Sequence, residues 1–271
     1  MALIATIYCK GTGGSTTTAL ALAAIAPPAW RPVLVECDPA GGDLMRRHRL
    51  ASAPSLVDLA AASRGPRQAS GGIEVFNAVE RQLWLRHHPV DLVVAPPSGA
   101  QTKAALGELT RPGNTTLTAA ARLILADCGR WEPGSPVRPL LAAANAVLVL
   151  VRARVEDLAH LHEHLAELLG LVSGRLIVLL APGGVYPLSE VASAIAGYLV
   201  RELAADPAAV RVAGPLPSDR RAAGILAGDL LPGRRWRRLP LLVALSRLLD
   251  DLAPALTRPV SAVAADREVT R

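Results

Sequence analysis

The sequence contains few aromatic residues, few cysteines and no long apolar segment. Only 3% of its 271 residues are aromatic although 51% are hydrophobic, so a core must be built mainly from Leu, Val, Ile and Ala. Three cysteines (Cys9, Cys37 and Cys128) without a Cys-x-x-Cys spacing argue against a disulfide framework and fit a reducing compartment. No apolar run approaches the roughly 20 residues that span a bilayer, and the first residues predict a strand rather than a secretory signal. We therefore expect a cytoplasmic protein.

Lysine is also scarce, whereas arginine is abundant. The chain has 29 basic residues, and all but Lys10 and Lys103 are arginines. The net charge of +6 and the isoelectric point near 9.9 permit contact with nucleic acid or anionic lipid without requiring either. His160, His162 and His164 do not predict a metal site, because only the first and third share a helix face and no further ligand is near them in the sequence.

One of the two lysines lies in a glycine-rich segment, residues 9–18 (CKGTGGSTTT). A phosphate-binding loop of the Walker type reads G-x-x-x-x-G-K-[ST], follows a buried strand and opens a helix. Here an apolar run precedes the segment and an Ala/Leu helix pattern follows it. Gly14-Ser15-Thr16 falls where Gly-Lys-[Ser/Thr] is expected, and Cys9 takes the first glycine position. The segment therefore predicts a phosphate loop whose central lysine is replaced by Ser15.

Much of the chemistry of such a loop survives this replacement. Gly11, Gly13 and Gly14 permit positive φ angles, so successive amide N–H groups can converge on an anion at the start of a helix. Thr16 offers a hydroxyl where these loops bind Mg²⁺. Ser15 donates a neutral hydrogen bond where a lysine would donate a charge-assisted one. The neutral bond is weaker by about 1 kcal/mol or more. We expect weaker nucleotide binding and a larger loss of phosphoryl-transfer rate, because charge develops in that reaction.

Short apolar runs alternate with helical patterns along the chain. The predicted strands are Leu3–Tyr8, Val33–Cys37, Leu92–Ala95, Leu123–Ala126, Ala146–Val151, Leu176–Leu180 and Val210–Ala213. The predicted helices lie near 16–26, 55–63, 100–110, 137–144, 155–169, 187–204, 219–227 and 238–256. Strands that are apolar throughout are typical of a parallel sheet covered on both faces, so we predict a doubly wound, mostly parallel α/β fold.

We predict a single domain over residues 1–256 and a loosely ordered tail over 257–271. The segment 64–90 interrupts the alternation with Gly, Pro and Ser. Its short β-like runs around Ile73–Phe76 and Leu83–Leu85 predict an irregular excursion that includes a hairpin.

Two aspartates follow predicted strands. Asp38 comes after the second strand and is followed by Pro39 and two glycines, a loop able to approach a phosphate. Asp127 follows four apolar residues, which is the pattern of a Walker B carboxylate that reaches Mg²⁺. Each aspartate alone is equally typical of a turn or helix cap. Because ligands of such folds lie beyond the carboxyl ends of the strands, the glycine loop and both aspartates together predict a nucleotide-type site, either occupied or vestigial.

The order and spacing of these motifs resemble the ParA/MinD group of deviant Walker ATPases, whose loop is similar to K-G-G-x-G-K-[ST]-T. Residues 9–20 match that loop at Lys10, Gly11, Gly14, Thr16 and Thr17. Residues 33–41 (VLVECDPAG) resemble the strand that ends in D-x-D-P-x-G, and residues 123–129 resemble the Walker B strand. Residues 144–149 resemble a strand entry that usually carries aspartate, and residues 214–219 (GPLPSD) resemble a late loop near the base. The resemblance covers about residues 1–250.

The resemblance implies a P-loop NTPase-like fold with ATP and Mg²⁺ as ligands. It implies that Lys10 reaches across a homodimer to the partner's phosphates and that Asp38 orients the attacking water, which makes both catalytic. It implies Mg²⁺ at Thr16 and Asp127. The implied nucleotide-binding residues are Lys10, Gly11, Thr12, Gly13, Gly14, Ser15, Thr16, Thr17 and Pro217. The chain departs from the family pattern at Thr12, Ser15, Glu36 and Asn145, and Ser15 leaves open whether a weak ATPase activity is retained.

Two functions follow as hypotheses. The first is a ParA/MinD-like nucleotide-dependent dimeric switch in intracellular positioning, such as chromosome or plasmid partition or division-site placement. The second is a non-hydrolysing scaffold that localises a pilus or secretion apparatus, as the resemblance to degenerate TadZ/CpaE-like members implies. Either would have a protein partner in its partition, pilus or secretion system. Arg234, Arg235, Arg237 and Arg238 are candidates for binding DNA or a membrane surface, although a final helix packed on the sheet with a solvated basic entry is the favoured explanation.

Overall fold

The computed structural model describes residues 2–11, 14–64, 73–118 and 121–256. The strands are β1 (Ala2–Tyr8), β2 (Val33–Glu36), β3 (Arg81–Leu85), β4 (His88–Val93), β5 (Leu123–Arg130), β6 (Ala146–Arg152), β7 (Arg175–Ala181) and β8 (Val210–Ala213). The helices are α1 (Ser15–Ile25), α2 (Leu44–Arg47), α3 (Leu56–Ala62), α4 (Ile73–Val79), α5 (Gly99–Leu109), α6 (Arg138–Ala143), α7 (Val155–Leu171), α8 (Leu188–Leu203), α9 (Arg220–Ala227) and α10 (Pro240–Leu256).

The strands form one eight-stranded sheet in the order β3-β4-β2-β5-β1-β6-β7-β8. All neighbouring strands are parallel except β3 and β4, which form an antiparallel hairpin at one edge. The predicted doubly wound, mostly parallel α/β fold is therefore confirmed. Because β1 lies between β5 and β6, the loop that follows β1 is flanked by the ends of those two strands.

Helices cover both faces of the sheet, which is why the strands are apolar throughout. Alternate side chains of β1 point to opposite faces: Leu3 and Ile7 pack in one core cluster, and Ile4 packs in the other. The first cluster is completed by α3 to α8, and the second by α1, α2, α9 and α10. The sheet is thus the middle of three layers, with α1 and α10 on the same face.

The segment between β2 and β4 differs from the sequence-based prediction. The run Ile73–Phe76 is not β-like but begins α4, in which Val75, Phe76 and Val79 face the core at helical spacing. Leu83–Leu85 is β-like as predicted and lies in β3, but β3 forms its hairpin with β4 and not with residues 73–76. Strand β4 begins at His88 instead of Leu92, because residues 88–90 pair with β3 alone. Residues 65–72 and the predicted tail 257–271 lie outside the described part of the chain.

Polar contacts hold the amino edge of the sheet, away from the glycine loop. Asn145, at the strand entry where the resembling family carries aspartate, accepts a hydrogen bond from the Leu3 N–H at 2.9 Å and donates to the Ala255 carbonyl at 3.4 Å. Its side chain therefore links β1 to the end of α10. Within the described ranges, no helix is both long enough and apolar enough to cross a bilayer.

Candidate functional site

The glycine loop lies between β1 and α1, at the carboxyl edge of the sheet. Gly11 and Gly14 have φ angles of 74° and 72°, a region that glycine adopts without strain. Gly14 is the N-cap of α1, so the helix begins at Ser15. Lys10 and Gly11 are exposed, whereas Ser15 is buried. Thr12 and Gly13, both predicted nucleotide-binding residues, lie outside the described residues.

Asp127 lies beneath the start of α1. It sits inside β5, which continues to Arg130 instead of ending at Ala126 as predicted, and it pairs in register with Thr6 of β1 and Glu36 of β2. Burial raises the pKa of Asp127 to about 6, while hydrogen bonds from the Thr16 and Ser15 hydroxyls oppose that increase. One carboxylate oxygen, Oδ1, is fully buried without a hydrogen-bond partner in the described structure.

Asp38 approaches the same point from the loop after β2. Its Oδ1 accepts a hydrogen bond from the Ala40 N–H at 2.8 Å, which fixes the carboxylate in an Asx-type turn. A Cβ atom built on Gly129 would lie 2.1 Å from the Asp38 Cγ, so the carboxylate rests on the bare backbone of β5. Burial raises the pKa of Asp38, and the charge of Asp38 in turn raises the pKa of Asp127. Asp38 is therefore seated on β5 at Gly129, two residues along the strand from Asp127.

Glu36 clamps the loop that carries Asp38. Its Oε1 accepts hydrogen bonds from the N–H groups of Asp43 and Leu44 at 2.8 and 2.9 Å, and its Oε2 accepts one from Ala95 at 3.0 Å. Burial raises the pKa of Glu36 to about 7, and the three backbone donors oppose that increase. Although Glu36 occupies the first acidic position of the family-like motif, its side chain ties together the ends of β2 and β4.

Three residues near the loop were not predicted from the sequence. Arg130 ends β5 and donates a hydrogen bond to the Cys9 carbonyl at 3.3 Å. Arg152 ends β6, and its guanidinium lies against Gly11. Tyr8 ends β1, and burial followed by the charges of Asp38 and Asp127 raises its pKa. Each is the last residue of β1 or of a strand beside it. The sequence alone could not place them near the loop, because their proximity depends on the strand order.

The remaining predicted residues are distributed over a wider area. Thr17 is half-buried in the first turn of α1. Pro217 lies in the loop after β8 at the same edge of the sheet, but β8 is three strands away from β1. In the basic run, Trp236 is buried and Arg237 donates a hydrogen bond to the Ile25 carbonyl at 3.1 Å. The remaining arginines of the run are exposed: Arg234, Arg235 and Arg238.

The donors around Asp127 fit a magnesium ion. Mg²⁺ prefers oxygen ligands, often one or two protein groups together with phosphate oxygens and water. The unpartnered Asp127 Oδ1 and the nearby Thr16 hydroxyl are oxygen groups of this kind, and they could hold such an ion. A buried carboxylate without a full set of hydrogen bonds is costly unless a cation or proton satisfies it. A glycine loop between a parallel strand and a helix, with an acidic residue on the neighbouring strand, is the arrangement of the P-loop class of fold.

Comparison with known proteins shows which P-loop structures this fold resembles. No protein-family model and no curated protein matches the sequence. Among solved structures, the cell division ATPase MinD from Pyrococcus furiosus has a TM-score of 0.67 and 12% identity, with 93% of this chain and 98% of that chain covered. A ParA family ATPase from Chlorobium tepidum has a TM-score of 0.63 and 14% identity, with 94% and 97% covered.

A third structure was solved with Mg-ADP. It is the septum site-determining protein MinD from Pyrococcus horikoshii, which has a TM-score of 0.62 and 14% identity, with 95% of this chain and 99% of that chain covered. The chain therefore has the fold of the ParA/MinD ATPases, as the order of its sequence motifs indicates. At these identities the similarity establishes the fold, and function must be argued from the site.

Proposed function

We propose that the chain is a ParA/MinD-type switch that binds ATP with Mg²⁺ and dimerises on the nucleotide to position a cellular component. The observation that carries this proposal is the convergence of the α1 N-terminus, Asp127 and Asp38 at one end of β1, β2 and β5. A helix N-terminus beside glycines attracts phosphate. The two carboxylates beside it have different roles: Asp127 would bind a cation, and Asp38 would orient a water molecule.

The roles follow from the surroundings of each residue. Asp127 and Thr16 would hold Mg²⁺, which when bound neutralises phosphate charge. Asp38 is only half-buried, so its carboxylate can accept a hydrogen bond from a water molecule and orient it. Lys10 is exposed at the front of the loop, where its ammonium is available to the phosphates of a second copy. Gly11, Thr12, Gly13, Gly14, Ser15 and Thr17 would line the phosphates, with Pro217 toward the base.

A test of the switch compares the molecular mass in solution with Mg-ATP and with Mg-ADP, measured by analytical ultracentrifugation. We expect dimers with Mg-ATP only, and we expect Lys10→Ala to remain monomeric. Lys103→Ala is the matched control, since Lys103 is the other lysine of the chain and is exposed on α5. The proposal would be contradicted if the native protein had the same molecular mass with either nucleotide, or if Lys10→Ala and Lys103→Ala had the same mass with Mg-ATP.

A non-hydrolysing scaffold is the second candidate, because Ser15 places no ammonium at the phosphates. An apolar groove of about 550 Å³ between α7 and α8, lined by residues that include Leu158, His162 and Tyr198, could receive the protein partner that either candidate requires. Measuring ATP hydrolysis distinguishes the scaffold from the switch. A scaffold shows no ATP hydrolysis until Ser15→Lys restores it, whereas native hydrolysis that is abolished by Asp38→Ala supports the switch.

We further propose that the protein acts in the cytoplasm at a nucleoid or membrane surface. The apolar side chains of α10 are buried against the sheet, so a surface contact would use the exposed arginines of residues 234–238 alone. Phosphate contacts of this kind weaken steeply with salt. Retention on DNA or on anionic vesicles that is lost on charge reversal at Arg234, Arg235 and Arg238 supports this surface, and unchanged retention argues against it.

A further inference from the structure

The structure brings an arginine onto the glycine loop from a neighbouring strand. Strand β6 pairs with β1 in parallel register, with Tyr8 opposite Leu150, so the end of β6 reaches the loop after β1. A Cβ atom built on Gly11 would lie 2.9 Å from Arg152 Nη2. The guanidinium therefore fills the space that a side chain at position 11 would occupy, and such a side chain would displace it.

A buried carboxylate fixes the orientation of this guanidinium. Arg152 Nε donates to Asp157 Oδ2 at 2.7 Å, and Nη2 donates to Asp157 Oδ1 at 3.3 Å. The Asp157 side chain, in the first turn of α7, is 3% exposed, whereas that of Arg152 is 36% exposed. One side of the guanidinium is thus anchored in the protein while the rest faces solvent near the loop.

The remaining donors suit a phosphate group. A guanidinium has five N–H groups in a planar fork, and Asp157 takes two of them. Within the described ranges, no acceptor is found for Arg152 Nη1. Planar N–H pairs bind phosphate oxygens in a bidentate way, and such charge-assisted bonds are roughly twice as strong as neutral ones.

The neighbouring arginines do not share this arrangement. Arg130 donates a hydrogen bond to the Cys9 carbonyl at 3.3 Å. Its carboxylate partner Glu132 is 66% exposed and 3.8 Å away, so that ion pair fixes Arg130 only weakly. Arg154 donates to the Gly183 carbonyl at 2.8 Å and lies 3.9 Å from Glu156. Arg152 alone among these three is held by a buried carboxylate against a glycine of the loop.

We propose that Arg152 is a phosphate-binding residue of this site and supplies, within the same chain, the charged donor that Ser15 does not. Its ligand is the terminal phosphate group of a polyphosphate such as a nucleoside triphosphate bound at the glycine loop. Asp157 is then a positioning residue that keeps the guanidinium fork directed at the loop. This inference rests on the proposed function for the identity of the nucleotide, but its phosphate chemistry does not depend on the base.

The test titrates the full-length protein with two probes in Mg²⁺ buffer by calorimetry: a non-hydrolysable ATP analogue and inorganic pyrophosphate. We expect Arg152→Met to weaken both by about tenfold or more, and Arg152→Lys to weaken them less. Arg154→Met is the matched control and should stay within about twofold of the native protein. Adding Ser15→Lys to Arg152→Met should restore affinity, because either residue then supplies the charge.

The outcomes separate the two proposals. Native binding of both probes that Arg152→Met and Arg152→Lys leave unchanged overturns the role of Arg152 and leaves the proposed function standing. Arg152-dependent binding of pyrophosphate without binding of the ATP analogue supports Arg152 and overturns the proposed function. Binding of neither probe by the native protein overturns both. Circular dichroism spectra of each variant ensure that a lost signal is not a lost fold.

Discussion

At the scale of single residues, Gly129 imposes the tightest steric condition near the site. Its φ angle is +63°, and its missing side chain leaves room for the Asp38 carboxylate. Gly129→Ala should lower the free energy of unfolding by about 3 kcal/mol, from left-handed backbone strain together with overpacking. Chemical denaturation measures the loss, and removing the side chain in Asp38→Ala should recover the overpacking part.

Gly134 provides the control for backbone strain. Its φ angle is +78°, and a Cβ atom added there would meet no atom within 4 Å. Gly134→Ala should therefore cost only about 1 kcal/mol. Equal losses in the free energy of unfolding for Gly129→Ala and Gly134→Ala would mean that Asp38 moves aside freely. The close approach of its carboxylate to Gly129 would then not contribute to stability.

Asp127 makes a pH-dependent contribution to stability. Its pKa is raised from 3.8 to about 6 by burial, so the folded state binds its proton more tightly than the unfolded state. The carboxylate is then disfavoured in the fold above about pH 6, and the penalty disappears as the pH falls toward 3.8. Without Mg²⁺, Asp127→Asn should be more stable than the native protein at pH 8, by on the order of 3 kcal/mol.

Denaturation at pH 8 and pH 4 without metal tests this sign. The stability gain of Asp127→Asn should be present at pH 8 and nearly absent at pH 4. Asp250→Asn, at an exposed position of α10, should show little difference at either pH. An Asn variant that is less stable than the native protein at pH 8 would show that the carboxylate is well satisfied without a cation.

At the scale of elements, the loop after β2 depends on Glu36. Glu36→Gln keeps the shape of the side chain but turns one acceptor oxygen into an N–H donor that faces a backbone N–H. We expect a loss of about 1–3 kcal/mol in the free energy of unfolding, the cost of an unsatisfied buried donor. Glu132→Gln is the control, since Glu132 is exposed. Equal stability of both variants would mean that the loop is held by other contacts.

The elements also show how far sequence patterns reach. Strands covered on both faces, such as β1 and β6, are continuous apolar runs, and their predicted bounds differ from the observed ones by at most a residue. The run at Ile73–Phe76 was wrongly predicted as β-like, because four residues are too few to separate a period of two from one of 3.6. Strand β5 was predicted too short because its Asp127 is buried within the strand instead of ending it.

The acidic residues of the site could be predicted from the sequence, whereas its arginines could not. Asp38 and Asp127 follow apolar runs, and a parallel sheet brings such positions to one edge. Arg130 and Arg152 occupy equivalent positions, but nothing local marks them in a chain with so many arginines. Their proximity to the loop depends on β5 and β6 being the neighbours of β1, and strand order is a property of the whole fold.

At the scale of the whole molecule, the strand order assembles one site from distant parts of the chain. The loop after β1, the loop after β2 and the ends of β5 and β6 converge because these strands lie side by side. The amino edge is held by a different set of contacts, such as those of Asn145 with Leu3 and Ala255. Changes at the carboxyl edge are therefore expected to alter ligand binding with the sheet intact.

The central claim is that this carboxyl edge binds a nucleoside triphosphate with Mg²⁺ although Ser15 replaces the loop lysine. The most direct measurement is a calorimetric titration of the native protein with ATP, with and without Mg²⁺. We predict saturable binding of one ATP per chain that weakens about tenfold or more when Mg²⁺ is removed. Absence of binding at millimolar ATP with Mg²⁺, or an affinity indifferent to Mg²⁺, would contradict the claim.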